Sequence, residues 1–373
     1  MDSTEIFSFR QQKLSSLMKK NGVNLVVLNP GPSLTYLTGL HFHLMERPVI
    51  AFFSINQPPI VILPELEAGK LSAVGFPIES IIYGEDPDEW PVTIHHSLFN
   101  KIAPGIALGI EPTRFRFLEM DILERAQLRP VFNNAERILA QLRITKDSSE
   151  ITLMQKAVEI AEKALSETLR FVKIGISELE VASELTLQLL RAGADPEMPF
   201  SPIVASGPNS AKPHAVPSIR QLSPGDLLLI DWGAAYHGYI SDLTRSFYIE
   251  TLSDEFQIIA KTVKEANLQA QAAIRPGVQA SEIDAAARSV IDRAGYGAHF
   301  FHRTGHGLGM EAHEEPYIRS GSQLLLKPGM TFTIEPGIYL PGKGGIRIED
   351  NLVVTETSSK SLSTISREVI PLG

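Results

Sequence analysis

An internal repeat is the feature that most constrains how this chain folds. A segment that begins at Gly175, GISELEVASELTLQLLRAG, has a counterpart that begins at Gly277, GVQASEIDAAARSVIDRAG. Both segments end in Arg-Ala-Gly, and each follows a longer helical pattern, at about 148–172 and about 254–274. Repeats of this kind indicate equivalent structural units. We therefore expect two half-domains related by a pseudo-two-fold axis.

Each repeated helix pair is followed by a strand pattern that starts after Pro-Gly and ends in an acid. The first strand, SPGDLLLID, ends at Asp231, and the second, KPGMTFTIE, ends at Glu335. The acid stands at the same distance from the Pro-Gly in both halves. An acidic side chain is rarely buried without a partner. The repeat therefore predicts that two equivalent strands bring two carboxylates to one centre.

A second acid follows Asp231 across a predicted hairpin. A two-residue turn at 237–238 places Asp231 opposite Thr244 and puts Asp242 on the same face, as a diagonal neighbour of Asp231. A shift of one residue would put the two acids on opposite faces. Two carboxylates that converge in an apolar setting repel each other, so one takes a proton or a cation binds.

The C-terminal third supplies further polar side chains. His306 lies in a loop rich in glycine and histidine, FFHRTGHGLGMEAHEEP, and GIRIEDNLVV places Arg347 and Glu349 on one strand face. The candidate site then contains four carboxylates and one imidazole, from Asp231, Asp242, Glu335, Glu349 and His306. Four negative charges suit two divalent cations, and ligation dominated by oxygen favours manganese, cobalt or zinc. Two such ions promote metal-assisted hydrolysis.

The first 142 residues have a different pattern. A helical pattern, EIFSFRQQKLSSLMKK, precedes short strand patterns: VNLVVLN, PVIAFFSI, PIVILPE, SIIYG and IALGIE. A capping signal, Asp147 followed three residues later by Glu150, opens the next long helix. We therefore expect two domains of α/β (α+β) class, at 1–142 and 143–373.

Composition excludes several classes of protein. The chain has 373 residues and no cysteine, which rules out disulfides, thiol catalysis and thiolate metal sites and favours a cytoplasmic location. The net charge of −9 argues against nucleic acid as a partner. The start lacks a signal-peptide pattern, and no apolar run is long enough to cross a membrane. We expect no membrane partner.

The second part of the chain resembles the pita-bread metallopeptidases, which include methionine aminopeptidase, aminopeptidase P and prolidase. The similarity rests on IDWGAAYHGYISDLTRSF, RTGHGLGMEAHEEP, TFTIEPGIY, GIRIEDNLVV and SGPNSAKPHAVPS. The first part resembles the creatinase-type N-terminal domain of the Xaa-Pro peptidases. The resemblance implies a creatinase-like α/β domain followed by a pita-bread catalytic domain, with a curved antiparallel sheet flanked by helices.

The resemblance also implies a role for each metal ligand. Asp231 binds one ion, while Asp242 and Glu349 bridge both ions. His306 and Glu335 bind the other ion, and Glu335 also acts catalytically because it helps to deprotonate the bridging water. Manganese is the first expectation for both ions, with cobalt or zinc as alternatives.

Four further residues match positions that handle the substrate or shape the pocket. His214, in KPHAVPS, matches the catalytic histidine that contacts the substrate and stabilises the transition state. His313 matches the catalytic histidine that meets the substrate near the scissile bond and handles protons. His302 and Arg347 match positions that shape the pocket and orient ligands.

The resemblance implies a hydrolase that cleaves the Xaa-Pro bond at the N-terminus of dipeptides or short peptides, by attack of a hydroxide that bridges two metal ions. The absence of a long C-terminal extension favours a prolidase-like dipeptidase over aminopeptidase P. The implied assembly is a homodimer. Residues of TGLHFHLMERP, namely His41, His43 or Arg47, either contact substrate or are plain surface loop residues.

Two other functions are compatible with the same fold. One is hydrolysis of a non-peptide amide, as in ectoine hydrolase, and the other is a non-catalytic binding protein. Creatinase has lost the metal ligands, and binding proteins of this fold generally lose ligands, whereas this chain has all five. The ligand set therefore favours the peptidase.

Overall fold

The computed structural model describes residues 3–372, which divide into two compact units between Arg143 and Ile144. The first unit contains α1 (Ser3–Asn21), β1 (Leu25–Leu28), α2 (Pro32–Thr38), β2 (Ile50–Ser54), β3 (Ile60–Pro64), β4 (Glu79–Tyr83), α3 (Trp90–Leu98), β5 (Ala107–Ile110), α4 (Phe117–Arg125), β6 (Val131–Asn134) and α5 (Glu136–Arg143).

The strands of the first unit form one mixed sheet in the order β4-β3-β2-β1-β5-β6. The β1–β2 and β2–β3 pairs are antiparallel, and the other neighbours are parallel. Parallel neighbours need a crossover, which α4 provides between β5 and β6. All five strand patterns predicted in this unit are confirmed, since each overlaps one of the strands β1 to β5.

The second unit is larger. It contains α6 (Ser148–Leu169), α7 (Glu178–Ala192), β7 (Ile203–Ser206), β8 (Leu227–Trp232), β9 (Ala235–Tyr236), β10 (Tyr239–Ile240), β11 (Leu243–Ile249), α8 (Asp254–Ala273), α9 (Ala280–Arg293), β12 (Gly305–Gly307), β13 (Glu314–Ile318), β14 (Thr331–Ile334), β15 (Gly337–Leu340), β16 (Gly344–Arg347), β17 (Asp350–Val354), β18 (Ser359–Ser361) and β19 (Ile370–Leu372).

The two halves of this unit repeat the same backbone hydrogen bonds. The amide of Gly175 donates to Leu222 O at 2.9 Å, and the amide of Gly277 donates to Leu326 O at 2.8 Å. Both glycines have a φ of 84°, a left-handed conformation that favours glycine. The predicted repeat is therefore confirmed in the structure. It gives two helix pairs, α6–α7 and α8–α9.

Each helix pair packs on its own sheet. The first half has the sheet β19-β11-β8-β7, and the second has β13-β12-β14-β17-β18. Leu228, Ile230 and Trp232 of β8 are fully buried in one apolar core with residues of α6 and α7. The alternate residue Leu229 is also fully buried. β8 is thus covered on both faces, which explains its unbroken apolar run.

The predicted hairpin register is confirmed. Asp231 pairs with Thr244 in the β8–β11 ladder, and Tyr236 pairs with Tyr239 across the turn. His237 and Gly238 have φ values of 49° and 77°, as a two-residue hairpin turn requires. Among residues 3–372, no helix is both long and apolar enough to cross a membrane.

Candidate metal centre

Asp231 and Asp242 enter the site from the first half. Asp231 is the fifth residue of β8, and Asp242 directly precedes β11. Both residues are buried. Asn351 holds the backbone of Asp242 on both sides, since its Oδ1 accepts from the Asp242 amide at 3.0 Å and its Nδ2 donates to the Asp242 carbonyl. The side chain of Asn351 therefore fixes the position of Asp242 through these two main-chain bonds.

Glu335 and Glu349 enter from the second half. The β14–β17 ladder ends with the pair Ile334–Asp350, so Glu335 and Glu349 extend from the same end of two neighbouring strands. The amide of Glu349 donates to Thr244 O at 3.1 Å, which joins this end to β11 of the first half. The two half-sheets therefore meet where the four acids converge.

His306 provides the imidazole of the cluster. Its Nε2 lies 3.6 Å from Asp242 Oδ2 and 3.5 Å from Glu335 Oε1. Ligand atoms of His306, Asp242 and Glu349 all lie within 4.8 Å of one another. His306 was expected in a loop, but it lies in the short strand β12, which pairs with β14. β12 can approach β14 this closely because residue 305 is glycine, since a Cβ there would lie 1.9 Å from Thr333 O.

Burial and mutual repulsion favour the protonated forms of these acids. Burial, with the charges of neighbouring acids, raises the pKa of Asp242 and of Glu349 well above the usual range. Burial also raises the pKa of Asp231, against the pull of Arg347, and raises that of Glu335 to about 7. Burial lowers the pKa of His306, which favours the neutral imidazole that binds metals.

These residues fit divalent cations. Asp231 Oδ1 and Glu349 Oε1 are buried and have no hydrogen-bond partner in the described part of the chain. A buried carboxylate oxygen without a partner is costly unless a cation binds it. The donor set of four carboxylates and a neutral imidazole suits hard or borderline divalent ions.

A network of hydrogen bonds around Arg347 orients two of the acids, Asp231 and Glu349. Arg347 Nη2 lies 2.5 Å from Asp231 Oδ2, and Arg347 Nε donates to Thr244 Oγ1 at 3.0 Å. Thr244 Oγ1 donates in turn to Glu349 Oε2 at 2.7 Å. The hydroxyl of Tyr339 accepts from Arg347 Nη1 at 2.9 Å and lies 2.9 Å from His302 Nε2. Burial lowers the pKa of His302 to about 4, which keeps its ring neutral.

The two remaining histidines lie in exposed loops beside the cluster. The rings of His313 and His306 are 4.2 Å apart between centroids. Burial, followed by the charges of Arg303 and His214, lowers the pKa of His313. His214 follows Pro213, whose carbonyl accepts from Arg347 Nη1 at 3.4 Å. The structure therefore brings the candidate residues of the second unit to one region: Asp231, Asp242, His306, Glu335, Glu349, His214, His302, His313 and Arg347.

Sequence reasoning did not identify three of the residues around this cluster. Thr244, Tyr339 and Asn351 are buried, and each bonds to an acid or to Arg347. The predicted hairpin register carried a signal for Thr244, because it places the threonine directly opposite Asp231. Tyr339 lies in β15, which pairs with β16, and Asn351 lies in β17. The tertiary fold brings both residues to the site, and no local sequence pattern predicts this.

Comparisons with known proteins agree with this geometry. The sequence profile of metallopeptidase family M24 matches residues 152–356, and that of the creatinase/prolidase N-terminal domain matches residues 10–145. The chain belongs to metallopeptidase family M24. The match places the candidate centre inside the metallopeptidase domain.

Three relatives illustrate what this metallopeptidase is similar to. It is 33% identical to the Xaa-Pro dipeptidase of Pyrococcus horikoshii, over 98% of this chain and 100% of the relative. The recombinant prolidase of Thermococcus sibiricus has a TM-score of 0.91 at 34% identity, covering 98% of this chain and 99% of the prolidase. The X-Pro aminopeptidase of Thermotoga maritima has a TM-score of 0.84 at 30% identity, covering 97% and 99%. The enzyme therefore has the two-domain creatinase-like and pita-bread fold.

Proposed function

We propose that this metallopeptidase is an Xaa-Pro dipeptidase that works with two divalent metal ions. The observation that carries the proposal is the convergence of Asp242, Glu349 and His306, with Asp231 and Glu335 beside them, in a buried cluster with unpartnered carboxylate oxygens. Such a cluster is unfavourable without cations. Manganese is the first candidate for both ions, with cobalt or zinc as alternatives.

Five residues would hold the ions: Asp231, Asp242, His306, Glu335 and Glu349. When bound, the ions lower the pKa of a water molecule and polarise the scissile carbonyl. Arg347 and Thr244 orient Asp231 and Glu349 through the contacts described above, which keeps the ligand oxygens aimed into the cluster.

The protein's own acid–base groups lie at the rim of this cluster. Glu335 has a partly exposed side chain, which lets it accept a proton from the attacking water. His313 is exposed beside His306, where its imidazole can carry a proton toward the leaving proline nitrogen. His214 is exposed on the loop bonded to Arg347, where it can donate a hydrogen bond to the developing oxyanion.

Two kinds of Xaa-Pro peptidase are compatible with this site. A dipeptidase is favoured because the relative from P. horikoshii carries that name and aligns over its whole length. An aminopeptidase is the second candidate because the T. maritima X-Pro aminopeptidase has the same fold at 30% identity. We also propose the homodimer expected from the resemblance, for which light scattering of the purified enzyme is the test.

One substrate panel tests the proposal. Purified enzyme, stripped of metal and then supplied with manganese, cobalt or zinc, is incubated with Ala-Pro, Ala-Pro-Ala and Ala-Ala. We expect rapid metal-dependent release of proline from Ala-Pro, slower cleavage of Ala-Pro-Ala and little cleavage of Ala-Ala. Faster cleavage of the tripeptide would favour the aminopeptidase, and equal cleavage of Ala-Ala would remove the requirement for proline.

A further inference from the structure

Glu178 is a fully buried carboxylate that lies outside the metal cluster. It is the first residue of α7, and none of its surface is exposed. Its Oε1 accepts from Ser206 N and Ser206 Oγ, both at 2.7 Å, and its Oε2 accepts from Ser218 N at 3.0 Å and Ser218 Oγ at 2.6 Å. Asn209 Nδ2 donates to both oxygens, at 3.1 and 3.2 Å. Each oxygen therefore holds one end of the segment 206–218.

This segment carries His214. Residues 212–218 contain no helix or strand in the structure. Val216 is 82% exposed and nearby Ile219 is 85% exposed, so packing of these apolar side chains does not hold the segment. Three attachments therefore hold the segment: the bonds of Glu178 to Ser206 and Ser218, the bond from the Leu179 amide to Ser218 O at 3.0 Å, and the bond from Arg347 to Pro213 O.

The internal repeat shows which kind of side chain is sufficient for folding at the position of Glu178. Glu178 corresponds to Ala280, because the Glu178 amide donates to Arg220 O at 3.0 Å and the Ala280 amide donates to Leu324 O at 2.9 Å. Ala280 is also fully buried at the start of its helix. A small apolar side chain therefore satisfies the same backbone arrangement, and the carboxylate of Glu178 is an addition specific to the first half.

The corresponding loop of the second half is held in a different way. His313 directly precedes β13, which pairs with β12 through Glu314 and Gly307. A buried ion pair between Lys146 and Glu314 adds a second attachment. The His313 loop is thus held by strand pairing and by this ion pair. Such a loop does not require an acid at position 280.

The chemistry of the donors favours a carboxylate over an amide at position 178. Five donor groups converge on its two oxygens, and an ionised carboxylate is an acceptor at both. Burial alone would raise the pKa of Glu178, but the bonds from Ser218, Ser206 and Asn209 together lower it. The NH₂ group of a glutamine is itself a donor, and it would face the donors of either Ser206 or Ser218.

We propose that Glu178 is a positioning residue that fixes the segment 206–218 and thereby holds His214 in place for the substrate. This inference rests on the proposed function, because His214 acts there on the Xaa-Pro bond. Glu178 touches neither the metal ligands nor the substrate. It acts through the loop, and its effect on turnover passes through His214.

The test is a double-mutant cycle on Ala-Pro hydrolysis with metal content measured in parallel. We expect Glu178→Gln and Glu178→Ala to lower kcat/KM about tenfold or more with unchanged metal content. In the His214→Ala background the same substitutions should change kcat/KM less than twofold, because coupled residues are not additive. The control is Glu180→Gln, which alters an exposed acid in the same helical turn and should change kcat/KM little in either background.

Amide hydrogen exchange separates this inference from the proposed function. Glu178→Gln should speed exchange in 206–218 and leave exchange of β8 and β14 unchanged, while Glu180→Gln should change neither. An equal loss of rate with and without His214, or unchanged exchange in 206–218, would overturn the positioning role. If the wild-type enzyme hydrolyses none of the Xaa-Pro peptides, the proposed function fails, and the exchange result still decides whether Glu178 fixes the segment.

Discussion

Thr244 and Glu349 join the two halves of the catalytic unit twice, once through the main chain and once through their side chains. The Glu349 amide donates to Thr244 O at 3.1 Å, and Thr244 Oγ1 donates to Glu349 Oε2 at 2.7 Å. The same hydroxyl accepts from Arg347 Nε, whose guanidinium binds Asp231. One threonine therefore links an acid of each half.

Replacing Thr244 with valine should weaken metal binding. The substitution keeps the shape of the side chain but removes the hydroxyl that orients Glu349 and receives Arg347. Loss of such an orienting bond typically lowers metal affinity about 10–100-fold. Calorimetric titration of the metal-free protein with manganese measures the change. Thr244→Ser retains the hydroxyl and is the matched control, so equal affinities of the two variants would contradict the role of this bond.

Replacing Asp242 with asparagine should abolish hydrolysis and lower metal content. The substitution removes one of four negative charges from the cluster while keeping the shape of the side chain. The contacts of Asn351 are with the main chain of Asp242, so the backbone position should persist. Metal analysis and the rate of Ala-Pro cleavage are the measurements. Asp88→Asn, at a side chain that is 92% exposed in the N-terminal unit, is the control. Near-normal activity of Asp242→Asn would refute the proposed role of Asp242 as a metal ligand.

Much of this arrangement follows from patterns visible in the sequence. The repeat fixes two equivalent strands, and the hairpin at His237-Gly238 fixes the register that sets Asp231 opposite Thr244. The prediction of one strand through Arg347 and Glu349 is wrong, because β16 ends at Arg347 and Glu349 precedes β17 of a different sheet. Period-two alternation still assigns the two residues to one side, because both side chains contact Thr244 while Ile346 and Ile348 are buried in the apolar core. These inferences succeed because strand geometry is local.

Other features depend on contacts that are distant in the sequence. Glu178 resembles an ordinary acid in the first turn of a helix, and only the fold brings Ser206 and Ser218 to its oxygens. The short helices of the N-terminal unit, such as α3 at Trp90–Leu98, have too few turns to show a clear helical period. The formation of these short helices therefore depends on tertiary packing.

Replacing His313 with alanine should lower turnover while metal stays bound. His313 packs against His306, yet it is exposed and belongs to the rim of the cluster. Loss of a group that transfers protons typically costs about 100-fold or more. Steady-state kinetics and metal analysis of the same preparation are the measurements, with His96→Ala, at an exposed position on α3, as the control. A loss of metal in His313→Ala would show that the residue is a ligand.

The metal-free protein should lose stability as pH rises through about 7. The pKa of Glu335 is raised to about 7, and those of Asp242 and Glu349 are raised well above their usual range, all chiefly by burial. The folded state then holds protons that the unfolded state has released, so stability is present at low pH and is lost as pH rises toward these values.

Two histidines of the site act in the opposite direction, but over a lower range of pH. Burial lowers the pKa of His306 and His302, so their contribution increases as pH rises and is complete above the ordinary histidine value of about 6.5. Above about pH 6.5 the acids alone should therefore set the slope. Thermal unfolding in a chelator should show a falling Tm over this range in the wild type and a shallower fall in Glu349→Gln, which removes one titrating acid. A Tm that rises with pH in the metal-free wild type would show that the four acids do not share a buried cluster.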